Sequence, residues 1–124
     1  MNHEGHKALG FWAEKMAVAC LQKKGYQILD RNVRFRSGEL DVVAKQGEIL
    51  VFCEVKARRG QGTGGPGEAI DPRKQTKMAR LAMDYLHCHP DLVDLECRFD
   101  AVLLWRVGLR WQTEVIVDAF RPGW

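Results

Sequence analysis

The chain has no long apolar run. Its longest is six residues, Met16 to Leu21, against the roughly 20 that a membrane-crossing helix needs. The first residues, Met1 to Lys7, carry no apolar core of a secretory signal, so the expectation is a cytoplasmic protein with no membrane partner. Cysteine is sparse: Cys20, Cys53, Cys88 and Cys97 form no C-x-x-C pair. That argues against a disulfide framework and for four thiols acting as small hydrophobes in a reducing compartment. His87 and His89 bracket Cys88, and His3 and His6 lie near the start, but no pair has zinc-finger spacing and a zinc site is rejected. No Gly-Lys-Ser/Thr follows the glycine-rich stretch, which excludes a Walker loop.

What is present is the balance of a globular domain: 124 residues, 46% apolar and 28% charged, enough for a core and too short for two ordinary domains. Residues 1–124 are therefore expected to form one domain. The net charge of +3 is modest but uneven, with seven cations (Lys56, Arg58, Arg59, Arg73, Lys74, Lys77, Arg80) against two anions (Glu68, Asp71) between Val55 and Arg80. Such a window suits a polyanion, because phosphate contacts supply most non-specific nucleic-acid affinity; a solvated helix face would look the same. Within it, residues 60–67 hold five glycines and a proline and read as a mobile loop able to order over a substrate.

Periodicity orders the elements. Leu9, Trp12, Ala13, Met16 and Cys20 recur at helical spacing and Gly25 closes the segment, giving a helix over about 5–24. Residues 26–36, 39–45 and 48–58 read as strands, the last two joined at Gln46-Gly47. The run Ile49–Cys53 implies burial on both faces, hence a central strand. Asp71 caps a second helix with Pro72 in its first turn and Met78, Leu81, Ala82 and Tyr85 as its buried stripe. Strands at about 98–107 and 111–120 turn at Gly108. The class is α/β, a mixed sheet flanked by helices in the order α-β-β-β-α-β-β.

Glu54 and Lys56 stand two apart on a strand and share a face. A Gln46-Gly47 turn pairs Lys45 with Glu48 and sets Asp41 opposite Phe52, diagonal to Glu54 on the face that carries Lys56. Two half-buried carboxylates need counter-charge. Lys56 supplies part, and a hard cation such as Mg²⁺ would supply the rest, since it takes carboxylate oxygens with water and phosphate. Glu14, with Gly10, Ala17 and Leu21 as its helical neighbours, is expected to lie against the sheet. Lys74 projects near the buried stripe of the second helix and reaches inward at a helix N-terminus suited to phosphate. Each residue has an ordinary alternative: a surface Glu-Lys pair, a solvated glutamate, a lysine snorkelling past the core edge.

Gly38-Glu39-Leu40-Asp41, Val51-Phe52-Cys53-Glu54-Val55-Lys56-Ala57-Arg58 and Arg98-Phe99-Asp100, with Ala13-Glu14 and Arg31-Asn32, resemble the YraN family of small bacterial proteins. That family is similar to the PD-(D/E)xK nuclease superfamily, with the restriction-endonuclease-like fold, and to Holliday-junction resolvases. The resemblance implies Asp41 and Glu54 as metal ligands, the Val55 carbonyl as a third, Lys56 as catalytic lysine and Glu14 as an additional helix carboxylate. Leu40 stands where the superfamily name has proline. Arg98 and Asp100 match the family pattern, and Asp100 is expected to partner a basic residue rather than bind metal.

The leading expectation is an endonuclease, dependent on Mg²⁺ or Mn²⁺, that hydrolyses DNA phosphodiesters, at branched structures and as a homodimer if the resolvase resemblance extends that far. Arg58, Arg59, Lys74 and Lys77 would grip phosphates. The alternatives are a non-catalytic DNA-binding or scaffold protein on the same fold, and an RNA-processing enzyme.

Overall fold

A computed structural model describes residues 3–58 and 70–122, with the side chains of 3–9 and of Arg58 left aside. The glycine-rich segment 60–67 and Arg59 therefore lie outside the described residues. Helix α1 (His3–Lys23) leads into strands β1 (Gln27–Phe35), β2 (Gly38–Gln46) and β3 (Ile49–Arg58). Helix α2 (Pro72–Cys88) and a 3₁₀ turn (Pro90–Leu92) then connect to β4 (Glu96–Val107) and β5 (Arg110–Phe120). The order is the α-β-β-β-α-β-β expected from the sequence.

Helix α2 starts where its cap chemistry says it should. Asp71 accepts a hydrogen bond from the Arg73 backbone N–H at 2.7 Å, and Pro72 occupies the first turn, where its missing N–H costs nothing. Its inner face is Met78, Leu81, Ala82 and Tyr85, all buried.

The five strands follow one another in space as in sequence. All neighbours are antiparallel except β3 and β4, which pair in parallel because α2 carries the chain back across the sheet. β3 is central, as its apolar run requires, and Leu50, Val51, Phe52 and Cys53 are wholly buried. Alternation divides the core into two layers. Leu50, Phe52, Phe99, Ala101 and Leu103 pack beneath α2, while Val51, Cys53, Val102 and Leu104 pack beneath α1.

Two expectations fail. The β2–β3 turn is Gly47-Glu48, so that Gln46 faces Ile49, Lys45 faces Leu50 and Val43 faces Phe52. Gly47 has φ +59°, which a two-residue hairpin turn of the II′ kind asks of its first central position, so the glycine leads the turn instead of ending it. The slip is two residues, which preserves the faces and carries Asp41 from beside Phe52 to beside Glu54. The stripe of α1 differs in part: Ala13 is buried and Met16 packs against the same layer as expected, but Trp12 does not. Ala13, Ala17 and Leu21 are its buried residues, while Trp12 is 63% and Phe11 60% exposed. Alanines let the helix approach the sheet closely, and the large rings are left outside.

The described cysteines are free thiols, and Cys88, bracketed by the two histidines, is exposed rather than packed as a hydrophobe. Neither described helix is long and apolar enough to cross a membrane.

Candidate functional site

Asp41 lies where β2 turns over. Leu40 belongs to the layer under α2 and Val42 to the layer under α1, although residues two apart on a regular strand share one face. Across from this point β1 distorts as well: Asn32 lies between the pairs Arg31↔Val42 and Val33↔Leu40 and takes φ +52°. Asparagine tolerates that left-handed conformation better than most side chains. The twin distortion lets the Asp41 carboxylate serve both faces of the sheet.

Toward α2, the Asp41 and Glu54 carboxyls come within hydrogen-bonding reach of one another. Glu54 Oε2 also lies 3.2 Å from Lys74 Nζ. Toward the backbone of β3, Asp41 Oδ2 accepts the Val55 N–H at 2.9 Å. Burial pushes the Asp41 carboxyl up to about 7, and the adjacent Glu54 charge adds to the rise, while the Val55 N–H and the Lys74 charge pull the other way. Toward α1, Asp41 and Glu14 line one cavity of about 700 Å³ together with Phe11, Asn32, Arg34 and Val55.

Glu14 is drawn against the sheet, its side chain 13% exposed. It accepts a hydrogen bond from Asn32 Nδ2, and Arg31 Nη2 stands 3.6 Å away. Burial raises its proton affinity, the Asn32 hydrogen bond lowers it, and the Asp41 charge raises it again. Lys56 is half-buried on β3 beyond Glu54. A counter-charge on Glu54 thus comes across space from α2. Lys77 lies over the β1–β2 turn, where its stem fills the space a Gly38 methyl would need.

Among the described residues, no group of three or more His, Cys, Asp or Glu is arranged to hold a metal ion. Two carboxylates are nonetheless a sufficient protein contribution for Mg²⁺, which keeps several waters and takes substrate phosphate oxygens. The donor set fits: an aspartate whose proton affinity is raised by burial and by a neighbouring carboxylate is relieved by a hard cation.

A second acidic centre lies on β4. Asp100 is 0% exposed, and its carboxylate accepts from Tyr26 Oη at 2.7 Å, Arg98 Nε at 2.9 Å, Arg98 Nη2 at 2.9 Å and the Asp118 N–H at 2.9 Å. The last of these depends on a bulge. Phe99 pairs with Phe120 but Ala101 with Ile116, and Asp118 at φ +56° turns its N–H inward. Every donor around Asp100 is matched, which makes it a structural hub.

A family model described as Uncharacterised protein family UPF0102 matches residues 13–104. The chain belongs to this family. A UPF0102 protein of Magnetococcus marinus is 50% identical over 118 residues, covering 95% of each chain. One of Symbiobacterium thermophilum is 48% identical over 96 residues, 77% of this chain and 80% of its own. One of Geobacter sulfurreducens is 41% identical over 99 residues, 80% of this chain and 77% of its own. The UPF0102 match opens at Ala13, one residue before Glu14, and takes in Asp41, Glu54, Lys56, Lys74, Arg98 and Asp100; Phe11 and β5 fall outside it.

Within this UPF0102 chain the structure brings together Glu14, Asp41, Glu54 and Lys74, and holds Arg98 and Asp100 in a separate network. Sequence reasoning did not find Asn32 as the partner of Glu14, nor Tyr26 and Asp118 as partners of Asp100. An asparagine inside an otherwise β-forming run was the available signal for the first. Nothing local marked the other two.

Proposed function

We propose that the protein is a divalent-metal-dependent nuclease of the PD-(D/E)xK kind, on a restriction-endonuclease-like fold, acting on DNA in the cytoplasm. The observation that carries the reading is the Asp41–Glu54 pair: two carboxylates within hydrogen-bonding reach in a half-buried site, one with strongly raised proton affinity. A protein has little structural use for such a pair, whose mutual repulsion costs stability. The complete set around it supports the same reading, with Lys56 on the same strand, Glu14 across the shared cavity and Lys74 at the start of a helix.

Asp41 and Glu54 would hold Mg²⁺ or Mn²⁺, with the Val55 carbonyl as the third ligand that the family resemblance implies. What a divalent cation supplies when bound is polarisation of a phosphoryl oxygen and a more acidic water. Lys56 orients the attacking water and balances charge that develops on phosphate. Lys74 sets a positive charge against Glu54 through the 3.2 Å contact. Glu14, held by Asn32, accepts a proton from the water side of the cavity. Lys77 contributes positive charge for the phosphate backbone, and Arg58 and Arg59, next in sequence after the Glu54–Lys56 segment, add to the cationic count.

The test is cleavage of linear, nicked, flapped and four-way DNA, with matched RNA, in Mg²⁺, Mn²⁺ or EDTA. Metal-dependent cutting is expected, falling roughly 100-fold or more in Glu54→Ala because several kcal/mol of charge stabilisation leave with the ligand. Undiminished cutting by a folded Glu54→Ala protein overturns the assignment. DNA binding indifferent to EDTA, with no cutting of any substrate, identifies a binding module instead.

A further inference from the structure

We propose that the cavity beside Asp41 seats one unstacked nucleobase against the ring of Phe11, so that the preferred substrate presents an unpaired nucleotide at the reacting phosphate. The inference rests on the nuclease reading and names its substrate class. Helix α1 buries small residues and leaves Phe11 60% exposed, yet this ring is a wall of the cavity that holds Glu14 and Asp41. A large aromatic ring facing solvent beside a polar site is a stacking surface, and every base has a π-face to offer it.

The rest of the cavity suits the same occupant. Its volume, about 700 Å³, lies in the range of small-molecule sites. Asn32 and Arg34 also line the cavity; each gives one N–H donor to a glutamate, Glu14 and Glu39 respectively, and amide and guanidinium are groups that hydrogen-bond base edges. Lys15 Nζ stands over the Phe11 ring, 5.2 Å from its centroid, and is not among the residues that line the cavity; it adds positive charge next to the ring for the phosphate of a seated nucleotide. Next to Phe11, Gly10 leaves open space, with nothing within 4 Å of where a Cβ would stand. A duplex end would have to unstack to deliver a base here; a flap, gap or single strand would not.

The test is fluorescence anisotropy in EDTA with a labelled single-stranded oligonucleotide and its duplex, using wild type, Phe11→Ala, Phe11→Trp and Trp12→Ala. Trp12 is equally exposed but does not line the cavity, so it reports generic surface effects. Phe11→Ala is expected to weaken single-strand binding by about 5- to 100-fold, the worth of one base on one ring, and to leave duplex binding within two-fold. Phe11→Trp restores it and Trp12→Ala changes nothing. Equal losses on both nucleic acids, no loss in Phe11→Ala, or the same loss in Trp12→Ala overturns the base seat. Cleavage assays on the same variants separate the two ideas. Cutting of a flap that ignores Phe11→Ala removes the base seat and leaves the nuclease, whereas Phe11-dependent single-strand binding without any cutting leaves the seat and removes the nuclease.

Discussion

Asp41 and Asp100 stand on the two strands that flank β3, and the Cys53 thiol between them is pushed up by burial first and then by both charges. Their surroundings are opposite. Asp100 meets four donor contacts from Tyr26, Arg98 and Asp118. Asp41 has the Val55 N–H and then another carboxylate. One site is ringed by donors of its own protein, and the other sets two carboxylates side by side with Lys74 as a shared counter-charge. Both aspartates are drawn in from solvent; what differs is the balance of their partners.

The sharpest way to break the comparison is to remove Asp100. Asp100→Ala leaves the Arg98 guanidinium without its carboxylate in a half-buried setting and should cost about 3–5 kcal/mol in urea unfolding. A loss below about 1 kcal/mol would make the two aspartates alike.

Asp41→Asn should act in the other direction. Because the native carboxyl holds its proton up to about 7, the folded state binds more protons than the unfolded chain between the ordinary aspartate value and that point. Stability contributed at this site is intact below the window and falls as pH rises through it. Removing the charge should therefore stabilise the fold at pH 8 by ~1–2 kcal/mol and leave it nearly unchanged at pH 4. Thermal melts across that range check both the sign and the window.

Tyr26→Phe deletes the 2.7 Å hydrogen bond to Asp100 and should cost about 1–2 kcal/mol, with no dependence on added metal. The smallest effect is that of the ion itself. At pH 8, millimolar Mg²⁺ should raise the melting temperature of wild type by about 1–3 °C and that of Asp41→Asn not at all, because only a binder of the native state shifts the equilibrium. Equal shifts in both proteins would separate the metal from Asp41.

Much of this was legible in the chain. The apolar run at Ile49–Cys53 placed β3 in the centre, Asp71-Pro72 started α2, and Asp41, Glu54 and Lys56 stood out as a group. The register was off by two because alternation reports faces and says nothing of which turn residue needs positive φ; Gly47 decided that. The α1 stripe was right at Ala13 and Met16 and wrong at Trp12, because hydrophobicity favours a large ring where close packing on a sheet selects for smallness. The Lys74–Glu54 pair and the Tyr26–Asp100 bond join distant segments, the latter 74 residues apart. No local pattern encodes such contacts.

The single parallel junction between β3 and β4 also orders the folding reaction. β1, β2 and β3 form a meander of neighbouring hairpins, and β4 with β5 forms another, so both can arise from local contacts. Joining them requires Ile49 to find Glu96 across the length of α2, a distant closure with the larger entropy cost. The Asp41–Glu54 pair lies within the first unit, while the Asp100 network ties Tyr26 to β4 and β5. The Asp41–Glu54 pair thus needs only local pairing, whereas the Asp100 network is complete only once the two units have joined.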